Sequence, residues 1–149
     1  MTKILESYPP TSTECLRVYE RQFGVILPDD YRCFLLRTNG GRPVPDGLEV
    51  RSWPGRSTRV HFFFGLHDGD HNNLGSWTHE LGDRLPTGCV PIAVDMGGNF
   101  IVLATEERRG EVYYWDASPD YLSEEDGTLF YLSNGIDRVL DALAESPAT

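Results

Sequence analysis

Val90-Pro91-Ile92-Ala93-Val94, then Gly97-Gly98, Asn99 to Ala104, and Glu111 to Trp115 decide the fold, because these apolar runs are strand-sized and separated by turn chemistry. Gly97-Gly98 supplies the positive φ that a tight hairpin needs, and a charged segment ending at Gly110 supplies the next turn. The three runs read as an antiparallel meander.

Upstream the periodicity changes to helical. Thr11-Ser12-Thr13-Glu14 fits a capping box with Thr11 as the cap, and Leu16, Tyr19 and Phe23 then recur on one face before Gly24 closes the helix. Pro28 suits the first position of a second helix, with Asp29 and Asp30 at the positive end of its dipole. Tyr31, Phe34, Leu35 and Thr38 form its inward face, and Asn39-Gly40-Gly41 stops it. Residues 42–59 read mostly as loop with one short strand at Leu48 to Arg51, Val60 to Phe64 as a buried strand, and Leu74, Trp77 and Leu81 as a short helix. Beyond the meander, an acidic loop from Asp116 to Gly127 leads through Leu129 to Leu132 to Ser133, a candidate N-cap for a last helix bearing Ile136, Val139, Leu140 and Leu143. Ser146 to Thr149 reads as a frayed tail.

This order predicts a single α+β domain over residues 1–149, its core from about 12 to 143, with an antiparallel-rich mixed sheet and helices packed mainly on one face. A chain of 149 residues with 40% hydrophobic and 24% charged residues is long and apolar enough for one core. No stretch has the length of apolar sequence that crosses a bilayer, and the first residues lack a secretory layout, so the expected location is the cytoplasm. Cys15, Cys33 and Cys89 are odd in number and widely spaced, and read as buried structural thiols.

The net charge of −10 argues against direct nucleic-acid binding, which needs clustered Lys and Arg, and favours a basic protein partner. The charge is concentrated: residues 1–103 carry 12 acids and 10 bases, whereas residues 104–149 carry 11 acids and 3 bases.

Leu27-Pro28-Asp29-Asp30-Tyr31-Arg32, Asn39-Gly40-Gly41, Phe64-Gly65, Pro91-Ile92-Ala93, Asp95-Met96-Gly97-Gly98-Asn99 and Val112-Tyr113-Tyr114-Trp115-Asp116, taken in this order, resemble the SUKH superfamily of Smi/Knr-like domains. The likeness runs from about residue 12 to residue 143. It implies an α+β binding scaffold without a known active site, used by fungal cell-wall regulators and, in bacteria, by immunity proteins that neutralise toxins. The stretch Tyr131 to Ile136 departs from the small residue and aromatic that more often lead into the family's last helix.

Candidate chemistry is sparse. His61, His67 and His71 with Asp68 and Asp70 are the most metal-like cluster, but Gly69 and the surrounding Asp and Asn residues disfavour the helix that would align His67 with His71. Asp68-Gly69-Asp70 opens like a calcium loop, yet Asn73 and His79 stand where glycine and glutamate are required. Ser76 lies in no Gly-x-Ser-x-Gly turn, and no base is placed beside it or the cysteines. The expectation is therefore no enzyme, no cofactor and no bound metal. Trp115 reads as core, with Trp53 and Trp77 as candidates for an exposed contact.

Asp116, Asp120, Glu124, Glu125 and Asp126 share a segment without a base, and with Glu106 and Glu107 they form the expected partner-binding surface. Acidic side chains there can imitate the phosphates held by a basic nuclease toxin. The leading reading is an immunity protein acting by stoichiometric binding. A regulatory adaptor of the cell-wall-regulator type and a metal-dependent enzyme around His67 and His71 are the alternatives.

Overall fold

The computed structural model describes residues 2–117 and 129–145. The meander expected from the sequence is its centre. Strands β3 (Gly47–Glu49), β4 (Ser57–Phe63), β5 (Cys89–Asp95), β6 (Phe100–Ala104), β7 (Val112–Trp115) and β8 (Leu129–Ser133) form one antiparallel sheet in chain order. A separate pair, β1 (Lys3–Leu5) and β2 (Arg42–Val44), lies upstream. All five residues of β6 are buried, as a central strand covered on both faces requires.

The register assigns the faces. Phe63 pairs with Ala93 and Ala93 with Ile101, so these three share one face, where Phe34 of helix α2 (Asp29–Arg37) meets Phe63 edge-on at 5.5 Å. Phe100 points the other way, and Trp77 of helix α3 (Leu74–Leu81) meets it at 5.1 Å. Helix α1 (Thr13–Phe23) reaches α3 through the Tyr19 hydroxyl, 2.8 Å from that of Thr78. Helix α4 (Ile136–Ala142) packs against α2 and β8.

Several boundaries differ from expectation. Ser12, not Thr11, caps α1 by accepting from the Cys15 N–H, which leaves Glu14 outside the capping-box position. Pro28 precedes α2 with extended ψ instead of starting it. Ser133 ends β8 and Gly135 stands at the cap of α4, where the Asp30 carboxylate would lie 2.6 Å from an added Cβ. The segment 42–59 holds β2, β3 and the start of β4: β2 is set by β1, remote in sequence, and β3 by pairing within the segment with Ser57 to Arg59. Cys15 and Cys33 are exposed and Cys89 is half-buried, so the thiols are not core residues; the two on helices fall on outward positions.

Two buried polar residues lock the turns. Asn39 donates to the carbonyls of Pro9 and Leu66 and accepts from the Leu66 N–H, each at 2.8 Å. Gly40, at φ 70°, passes so close to β4 that an added Cβ would lie 2.6 Å from the Phe63 carbonyl oxygen. At the β5–β6 hairpin, Asp95 accepts from the N–H groups of Gly97 and Asn99 and from the hydroxyls of Thr58 and Tyr114. Burial, then the adjacent Asp95 carboxylate, pushes the Tyr114 phenol well above its ordinary pKa.

Candidate functional site

Of the acidic surface expected from the sequence, the described residues Glu106, Glu107 and Asp116 stand at opposite ends of strand β7. Glu106 and Glu107 are exposed on the turn before it, whereas Asp116 follows its far end, about 13 Å away at roughly 3.3 Å per residue. Asp116 is buried and accepts from the Trp53 indole N–H at 3.0 Å, so its carboxylate is turned inward. Asp120, Glu124, Glu125 and Asp126 lie outside the described residues.

The turn carrying Glu106 and Glu107 is firmly held. Thr105 donates its N–H to the Gly88 carbonyl at 2.8 Å, and Arg109 donates to the carbonyls of Ile26 at 2.7 Å and Leu27 at 2.9 Å. The Glu106 side chain lies across Gly88, where an added Cβ would be 2.9 Å from its Oε2.

Beside this turn lies an open groove of about 510 Å³, lined by Gly88, Cys89, Ala104, Glu106, Glu107 and Tyr113 among others, with Leu129 at its far side. Its position follows from the register. Cys89 pairs with Ala104, Val102 with Tyr113 and Tyr113 with Tyr131, which puts Cys89, Ala104, Tyr113 and Tyr131 on the face that α3 covers only at its other end. The rings of Tyr113 and Tyr131 meet edge to face at 5.9 Å, and Tyr131 is 49% exposed. Burial, then the Glu106 charge, pushes the Cys89 thiol up to about 11, so it lines the groove as a neutral group.

Among the described residues that line the groove, Arg108 is its cation; it is a non-glycine residue at φ 57°, and the neighbouring Tyr113 hydroxyl, then the Glu111 charge, raise its pKa. Tyr113 in turn donates to Glu111. None of Tyr113, Tyr131, Leu129 or Cys89 was among the expected site residues; only the strand pairing brings them together.

The histidine loop is occupied with its own structure. His67 stacks on Tyr8 at 3.5 Å and accepts from the Gly69 N–H at 2.9 Å, while His71 is exposed on a loop. Among the described residues, no three His, Cys, Asp or Glu side chains come together as metal ligands do. No helix among them is long and apolar enough to cross a membrane. Trp53 and Trp77 are both half-buried, Trp53 against Tyr114 at 4.8 Å and Trp77 between Phe64 and Phe100.

Comparison with known proteins agrees with this architecture. A family model described as SMI1 / KNR4 family (SUKH-1) matches residues 10–142. The SPbeta prophage-derived uncharacterized protein YokK of Bacillus subtilis (strain 168) is 29% identical over 157 aligned residues, covering 94% of this chain and 79% of the relative.

Proposed function

The chain belongs to the SMI1 / KNR4 family (SUKH-1), and on that premise we propose that it is a non-enzymatic immunity protein that neutralises a cognate protein toxin by stoichiometric binding. The observation that carries this reading is the family match over residues 10–142, nearly the whole chain. A relative derived from a prophage supports a role in conflict between genomes. The charge supports the kind of partner: eleven acids against three bases in residues 104–149 favour a basic toxin domain, such as a nuclease whose site holds phosphates. Binding occurs in the cytoplasm and needs no cofactor or turnover.

Sequencing the genes beside its own and co-expressing the chain with any toxin domain encoded there tests the reading. Protection of the host cell, together with a one-to-one complex in solution that weakens at high salt, is the expected result. Toxicity unchanged by the chain, with no complex formed, would overturn it.

A further inference from the structure

We propose that the groove beside the β6–β7 turn is the partner contact, and that it takes an arginine side chain from a basic protein segment in place of Arg108. This rests on the partner-binding reading above and adds to it the site and the chemistry recognised.

The groove combines what a guanidinium requires. Among the described residues, Glu106 and Glu107 line it against the cation Arg108, and Glu111 accepts from the hydroxyl of the lining Tyr113, so its rim is negative with or without the rest of the chain's charge. One wall is the Tyr113 ring, over which a cation can sit, and the half-exposed Tyr131 packs edge-on against that ring just outside the groove. Cys89 and Leu129 give it an apolar floor that displaces water from whatever enters. A planar guanidinium can stack on the ring and fork to a carboxylate together, which the compact, strongly hydrated ammonium of lysine does less well.

The chain itself supplies the precedent for that occupant. Arg108 lines the same groove as Tyr113 and Glu107, and it does so from a left-handed backbone conformation on the solvent side of the turn. An exposed arginine held by so few contacts is replaceable. The turn behind it is not, because Thr105 and Arg109 anchor it on both sides. The arrangement is thus a rigid rim with one exchangeable cation.

The test titrates the full chain with the peptide acetyl-Gly-Arg-Gly-Arg-Gly-amide and with its lysine counterpart, following backbone amide shifts by NMR. Shifts centred on Gly88, Ala104 to Arg108, Tyr113, Leu129 and Tyr131 are expected, with the arginine peptide at least threefold tighter. Arg108→Ala should tighten binding about threefold or more, whereas Arg51→Ala, which removes the same charge from an exposed residue that does not line the groove, should leave it within a factor of about 1.5. Glu106→Gln with Glu107→Gln should weaken it at least threefold, with an unchanged melting curve confirming the fold. Equal effects of Arg108→Ala and Arg51→Ala, shifts centred on Asp137 and Asp141 of α4 and on Glu145 beyond it, or absence of binding even to the Arg108→Ala chain would each overturn the proposal. Those outcomes leave toxin protection untouched, since co-expression measures it without reference to the groove; failure of protection with the groove intact would instead remove the immunity reading alone.

Discussion

Replacing Asn39 by alanine should cost about 2–4 kcal/mol of folding free energy, because three hydrogen bonds averaging about 1 kcal/mol each are lost and the groups left behind are partly shielded from water. The Leu66 N–H and carbonyl are half-buried and cannot be fully rehydrated, whereas the Pro9 carbonyl is on an exposed residue and can, which sets the upper bound below that for three stranded groups. A domain of this kind has about 5–15 kcal/mol in total, so the variant should fold but unfold at a clearly lower urea concentration. Asn39→Asp sharpens the test. It keeps an acceptor for the Leu66 N–H but turns a carboxylate toward two carbonyl oxygens, so at neutral pH it should be at least as damaging as alanine. Protonation lets that side chain donate once, so its deficit relative to the parent should shrink as the pH falls below about 5. Urea unfolding followed by tryptophan fluorescence measures both. A loss under about 1 kcal/mol for Asn39→Ala, with the slope unchanged, would refute the assignment of Asn39 as the clamp between the N-terminal segment, α2 and β4.

Burial holds the phenols of Tyr19 and Tyr114 above the ordinary value, and burial with the nearby Tyr19 does so for Tyr31. The folded chain keeps these protons while the unfolded chain gives them up near pH 10, so stability should be intact below about pH 10 and fall as the pH rises beyond it, with an ultraviolet titration showing tyrosines that ionise only on unfolding. A thiol reagent at pH 8 should label Cys15 and Cys33 rapidly and Cys89 slowly; Cys15 should lead, since hydrogen bonds from Ser12 and then Thr11 lower its pKa, and mass mapping of early products checks the order. Charge reversal at Glu124, Glu125 and Asp126 should slow association with the basic partner several-fold at low salt and little at high salt, read by stopped-flow mixing.

The elements legible in the sequence are those whose signals are local. The meander was readable because Val90 to Val94, Asn99 to Ala104 and Glu111 to Trp115 are bounded by their own turns, and α2 because Tyr31, Phe34 and Leu35 repeat at helical spacing up to Asn39-Gly40-Gly41. What was missed depends on distant partners. Strand β2, Arg42-Pro43-Val44, has no strand character of its own and exists because Lys3 to Leu5 pairs with it. Ser133 looks like a helix cap until Val112 is found opposite it in the ladder. The α1 cap moved by one residue because Thr11, Ser12 and Thr13 offer equivalent hydroxyls, and local chemistry does not choose among them.

The candidate site was harder to read for a related reason. Acidic residues announce themselves in a sequence, and Glu106 and Glu107 are indeed exposed, but Asp116 shows that a carboxylate in an acidic run can serve an indole instead of the solvent. The aromatic pair beside the groove is invisible without the register, since Tyr113 and Tyr131 stand 18 residues apart and meet only because β7 and β8 pair. The residues that carry the family likeness behave in the opposite way. Asn39-Gly40-Gly41 and Asp95 to Asn99 are tied up in backbone contacts and buried hydrogen bonds, so they report how the chain folds. None of their polar groups is directed at the groove, whose lining comes from Gly88, Glu106 to Arg108, Tyr113 and Leu129 instead. Two members of this family can therefore share those residues and the fold while differing in the groove, and on the proposed reading of the groove partner choice should track substitutions at its rim more closely than overall sequence identity.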